Sequence, residues 1–253
     1  MKKEFENHSK VLKRHLSDDR CLIYLNMVNG DELKALRLYR LNSELSSLVF
    51  SVLGHLEICL RNNLVIQWNE YFKHNYRQEF WPLNMDGMHF HAVKFRAIEL
   101  KYMNADRQKA QEKILKYLEG YADRDMTNGD LISNLNFGFW NDCFKPQFNS
   151  INRAKIKNMF PYYPFTSDLD KDLKEVRKKI VKAYKLRNRI AHHEPLVKCE
   201  VDLLYSFEDI NSLISYIDPK YQNIFLKGKL KRFSNLYNQV KKCKNLSILG
   251  ARP

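Results

Sequence analysis

The sequence predicts an all-α, multi-helix bundle, and three observations carry that prediction. Leu169, Leu173, Val176, Ile180 and Tyr184 recur at the three- and four-residue steps of a single helical stripe. A second seam, Leu41, Leu45, Leu48, Val52, Leu56, Cys59 or Leu60, Leu64 and Trp68, keeps the same period through about seven turns. Residues 105–119 are strong helix formers throughout and end at Gly120. The expectation is one domain over residues 1–253, with N-terminal helices within 1–72, a central helix over 168–195 and a basic C-terminal helix over 221–244. The helices at 43–72, 131–144, 168–193 and 199–217 are expected to form its core.

Composition bounds the function. Lys and Arg outnumber Asp and Glu by 43 to 29, leaving a net charge of +14. A charge of that size predicts a polyanionic partner. RNA fits better than a membrane, because no uninterrupted apolar run approaches the ~18 residues of a span. The five cysteines, at 21, 59, 143, 199 and 243, are odd in number and form no C-x-x-C pair. That disfavours a disulfide framework or a zinc site and suits reducing cytoplasm. The N-terminus, MKKEFENHSK, lacks the hydrophobic core of a signal peptide. No Gly-rich phosphate loop is present, and no acidic pair accompanies a histidine at ligand spacing, so neither a cofactor nor a metal is expected. His89 and His91 are too few to make a site.

Taken in order, residues 4–16 predict a short basic helix ended by Ser17, Asp18 and Asp19, with Asp18 or Asp19 capping the next helix over 20–28. Asn29-Gly30-Asp31 is a turn and cap. The long helix at 43–72 is the expected main partner of the 168–193 helix, and His55 on it is taken as structural. Residues 73–90 predict a loop whose Phe80, Trp81 and Phe90 are core aromatics before they are base-stacking ones. Helical patterns return at 91–102 and 105–119, with a turn at 126–130. In 131–144, Gly138 sits inside a helix, where glycine costs about 1 kcal/mol against alanine. Such a residue marks a close approach, here beside the 168–193 helix. Pro146, Pro161 and Pro164 bracket a short basic helix over 151–159, whose Arg153, Lys155 and Lys157 either touch RNA or form a solvated face. Asp218-Pro219 breaks the 199–217 helix, and 221–243 reads as a basic last helix suited to phosphate contact or solubility.

The 168–193 helix is capped at Ser167 or Asp168, and its other faces carry Lys171, Lys174, Arg177, Lys178, Lys179, Lys182 and Lys185. Pro195 disfavours helical geometry at Glu194, so the helix stops there. Continuing its stripe places Arg187 in phase, where a guanidinium is costly unless an anion meets it. Arg187, Asn188 and His192 form the pattern Arg-Asn-x-x-x-His. RNA cleavage by the 2′-OH needs no metal. It needs proton transfer, which a histidine can perform near neutral pH, and a cation beside the phosphorane, which an arginine supplies. Asn188 lies one turn before His192 and can orient the imidazole or a phosphate oxygen. Lys185 and Arg189 can hold flanking phosphates, and His193 is the rival proton carrier. Five residues at about 100° each leave Arg187 and His192 roughly 140° apart on an ideal helix. They converge only if the last turn unwinds or if two copies of the motif meet. The bland reading of the same residues is a buried Arg187 ion pair with two histidines ending a basic helix. The chain would then be a non-catalytic RNA- or protein-binding module.

This stretch resembles the Arg-x4-6-His signature of the HEPN ribonucleases. Three further segments resemble the Abi-like (abortive infection) branch of that superfamily: Leu38-Tyr39-Arg40-Leu41-Asn42-Ser43-Glu44-Leu45-Ser46 followed by Gly54-His55-Leu56-Glu57-Ile58-Cys59-Leu60-Arg61-Asn62, and Leu135-Asn136-Phe137-Gly138-Phe139-Trp140. Glu57 either pairs with Arg61 on the helix surface or is the acid that holds Arg187. The resemblance implies a HEPN-like bundle that dimerises through its motifs. It also implies a metal-independent endoribonuclease leaving 2′,3′-cyclic phosphate ends. The implied role is phage defence or toxicity, restrained by an antitoxin protein or a small RNA.

Overall fold

A computed structural model describes residues 14, 16–76, 132–133, 135–198 and 200–249. The expected helices at 91–102 and 105–119, most of 4–16, most of the loop expected over 73–90 and the turn at 126–130 lie outside the described residues, and residues 73–76 of that expected loop are instead helical. Among those described, regular structure is helical throughout: α1 (Asp18–Met27), α2 (Glu32–Tyr76), α3 (Phe137–Asp142), α4 (Asn149–Met159), α5 (Leu169–Ala191), α6 (Glu200–Ile217) and α7 (Pro219–Leu249), with 3-10 turns at Pro146–Phe148 and Leu196–Lys198. One contiguous apolar core joins the seven α-helices.

Local chemistry accounts for most boundaries. Ser17, rather than Asp18 or Asp19, caps α1 by accepting from the Arg20 N–H, and the two aspartates sit in the first turn, where they favour the helix dipole. Asn29 and Gly30 take left-handed φ values of 53° and 80°, and Asp31 accepts from the Lys34 N–H at 3.0 Å to open α2. α2 starts earlier than the 43–72 expectation because Ala35 and Leu38 are buried in phase with the seam. α3 is shorter than 131–144, because Asn136 caps it from its own first turn by accepting from the Phe139 N–H. At the other break, Pro219 begins α7 directly, with Asp218 accepting from the Lys220 and Tyr221 N–H groups.

Packing departs from the sequence expectation in one respect. α2 is most extensively packed against α7, and α5 against α6 rather than α2. The C-terminal helix is therefore a core element: Leu226, Phe233, Leu236, Val240 and Cys243 are buried beneath its lysines. Length explains the pairing. The 45 residues of α2 reach roughly 68 Å at 1.5 Å per residue, and only the 31-residue α7 approaches a partner of that length. His55 is one of the joints, its Nδ1 lying 2.7 Å from the Tyr221 hydroxyl.

α2 also contains a stretch apolar enough by composition to cross a bilayer, which unbroken apolar runs did not reveal. The neighbouring helices cover one stripe of it, including the fully buried Leu45, Val52, Leu56 and Trp68, while Phe50, Ile58 and Ile66 on its other faces are exposed. Trp68 donates to Asn152 on α4, and Asn152 in turn donates to the Cys143 carbonyl, so the buried indole N–H and the Asn152 amide are both paired.

Candidate functional site

α5 is held firmly along its first four turns. Asp168 caps it by accepting from the Asp170 and Lys171 N–H groups at 3.1 and 3.0 Å. Asp172, 2% exposed, accepts from the backbone and hydroxyl of Thr166. Asp209 on α6 receives the ammonium groups of Lys179 and Lys182. Burial works against the charge on Asp209, but the two lysine hydrogen bonds outweigh it and hold the carboxyl below its ordinary value. Tyr184 lies edge-on to Phe137, and a methyl group on Gly138 would come within 3.3 Å of the tyrosine ring. Gly138 is thus the expected close contact beside the motif helix.

The buried stripe then continues through Ala183, Leu186 and Ile190, so Leu186 takes the core position that the spacing assigned to Arg187. Arg187 sits half-buried at the edge, in the field of Glu57 and Arg61 from α2. Burial pushes the Glu57 carboxyl up, and the Arg187 guanidinium, then that of Arg61, partly offsets it. Among the described residues Glu57 forms no ion pair with either arginine, and the Arg61 Nε is buried without a hydrogen-bond partner. Arg187 reaches the Asn188 side-chain oxygen only at 3.5 Å. Arg189 pairs with Glu194 at 3.1 Å, and Lys185 is exposed. Lys155 and Arg153 of α4 are engaged with Glu70 and Asp170.

The helix ends in a Schellman motif. His192 is the C-cap, its N–H bonded to the Asn188 carbonyl, and His193 follows at a left-handed φ of 55°. The His193 N–H bonds the Ile190 carbonyl and the Glu194 N–H that of Arg189, both at 2.9 Å. The last turn therefore stays α-helical. Arg187 and His192 keep their separation of roughly 140°, and no unwinding brings them together within one chain. The following turn is fastened from two sides, since the Val197 N–H donates to Asn42 on α2 and Lys244 donates to the Val197 carbonyl. Sequence reasoning assigned Asn42 no role. Its signal was an amide in phase with the buried Leu38, Leu41 and Leu45, a place where a polar side chain must find a partner.

His193, rather than His192, borders a cleft of about 400 Å³ between the end of α5, the start of α2 and α1. Tyr24 and Tyr39 meet edge-on there, and burial followed by the neighbouring Tyr39 pushes Tyr24 up to about 12, so its hydroxyl keeps its proton. No three His, Cys, Asp or Glu side chains gather at ligand spacing among the described residues.

The profile of the Abi-like protein family matches residues 26–198. The chain belongs to the Abi-like family. The matched span runs from the end of α1 to the turn after the motif, so the Abi-like region contains Asn42, Glu57, Gly138 and the whole of α5. α6 and α7, which complete its core, follow the matched region. No curated protein and no solved structure matches the chain.

Proposed function

We propose that this Abi-like protein is a metal-independent endoribonuclease of the HEPN type, acting in phage defence or as a toxin. The observation that carries the reading is the contrast within α5. Asp170, Asp172, Lys179 and Lys182 tie its first turns to neighbouring elements, whereas the imidazole of His192 at its end, like the side chains of Arg177 and Lys185, makes no hydrogen bond among the described residues, and Arg187 makes only one, at the limit of bonding distance. In this reading Arg187 neutralises the scissile phosphate as charge builds on it. His192 transfers the proton to or from the 2′-OH or the leaving 5′-oxygen, and Asn188 orients one of the two. Lys185 holds a flanking phosphate, as does Arg189 once it exchanges Glu194 for RNA. Glu57 sets the position of Arg187 through its charge.

The helical offset of Arg187 and His192 supports a two-fold dimer in which one chain's arginine works with the other's histidine. An enzyme of this kind needs restraint in its own cell, by an antitoxin protein or a small RNA. The test is incubation of EDTA-treated protein with single-stranded RNA, with end analysis of the products. Shorter fragments bearing 2′,3′-cyclic phosphate and 5′-hydroxyl ends are expected. Binding without shortening would convert the reading to a non-catalytic RNA-binding module. Mixing inactive Arg187→Ala and His192→Ala chains should restore cutting, and an active monomer by light scattering would exclude the composite site.

A further inference from the structure

We propose that the cleft beside His193 is a binding subsite for one nucleotide of single-stranded RNA, adjacent to the scissile phosphate, and that His193 is a positioning residue there. The proposal rests on the ribonuclease reading for its substrate, but it begins from a different observation, the backbone of His193. The left-handed position after a helix C-cap is where glycine is most at home, because a Cβ crowds the carbonyl there. His193 occupies it at φ 55°. Nothing in the turn calls for an imidazole, since the hydrogen bonds that close it come from the backbone. What the histidine adds is a ring at the rim of the cleft.

The lining fits a nucleotide. A volume of about 400 Å³ falls within the ~300–1,000 Å³ of small-ligand sites. Arg20 supplies a guanidinium for a phosphate. Ser43 and Ser47, one turn apart on α2, present hydroxyls suited to a ribose or a base edge. Phe50, 48% exposed, and Tyr39 offer aromatic surface of the kind on which unpaired bases stack. The cleft also shares the helix end that carries Arg187 and His192, so a strand with its phosphate at the motif would carry a neighbouring base to this place.

The backbone strain makes a clean test, because glycine suits this position better than histidine does. His193→Gly should melt at the parent's temperature or about 2–4 °C above it. Its affinity for an uncleavable 2′-O-methyl RNA oligonucleotide should fall about tenfold, with KM rising alike and kcat within about threefold. Phe50→Ala should weaken the same binding by a similar factor. His192→Ala should show the opposite split, with binding kept and kcat reduced by on the order of 10²–10⁴. Parent-like binding by both His193→Gly and Phe50→Ala would overturn the subsite while leaving the ribonuclease reading intact. A loss confined to kcat in His193→Gly would make it a proton carrier and overturn the positioning role. If the parent binds the oligonucleotide through these residues and never cuts RNA, the subsite stands and the ribonuclease reading falls. Failure of the parent to bind overturns the subsite.

Discussion

The two ends of α5 are built to different rules. Its first four turns are over-determined: Asp168 caps them, Asp172 ties them to Thr166, Asp209 collects two lysines, and Gly138 lets Tyr184 lie against α3. The last turn is as regular in its backbone, ending in a complete Schellman motif, yet its side chains are left with weak or exposed contacts. Holding a helix at one end and presenting polar groups at the other produces a rigid platform for them. Preorganisation of this sort is what an electrostatic site requires, because its groups need not reorganise when charge develops.

Substitutions can break that contrast in either direction. The largest effect is expected at the presenting end, where Arg187→Ala or His192→Ala should slow RNA cleavage by on the order of 10²–10⁴ while thermal melting stays near the parent's. At the anchored end the pattern should reverse. Asp172→Ala strands the Thr166 N–H and should lower stability by about 3 kcal/mol in denaturant melts, with the rate per folded molecule unchanged. Gly138→Val forces a side chain against the Tyr184 ring and should cost about 2 kcal/mol by the same measurement.

Two carboxylates sharpen the comparison through pH. The Asp209 carboxyl is held below its ordinary value, so its contribution is present above pH 3.8 and is lost as pH falls through the lowered value. Asp209→Asn should cost about 1.5 kcal/mol at neutral pH, and the difference from the parent should shrink under acid. Glu57 is displaced the other way, first by burial. Its contribution is present below its ordinary 4.5 and is lost as pH rises through the raised value. Glu57→Gln should therefore melt slightly above the parent at neutral pH, by under about 1 kcal/mol, and match it near pH 4. Cleavage should nonetheless fall, because Arg187 loses the acid that sets its place. Unchanged cleavage would remove Glu57 from the site.

Much of this arrangement was legible in the chain itself, for reasons confined to a few neighbouring residues. Periodic apolar positions determined that α2, α5 and α6 are helices. Asp168 and Pro195 bounded the motif helix, Asn29-Gly30-Asp31 set the turn before α2, and Gly138 marked a close approach. These are effects of sterics and capping within a turn or two. Tertiary structure alone decided which faces meet. Periodicity shows that a stripe is apolar without naming its partner, so α7 could not be recognised as the cover for α2 beneath its lysines. Leu186 and Arg187 are adjacent on the helix, and only the position of α6 and α2 around it settles which of them is buried. Asn42 and Val197 stand 155 residues apart, and their hydrogen bond exists because the bundle brings α2 to the turn after the motif. The place of His193 at the cleft is of the same kind, since its left-handed turn is local but the walls it faces come from α1 and α2.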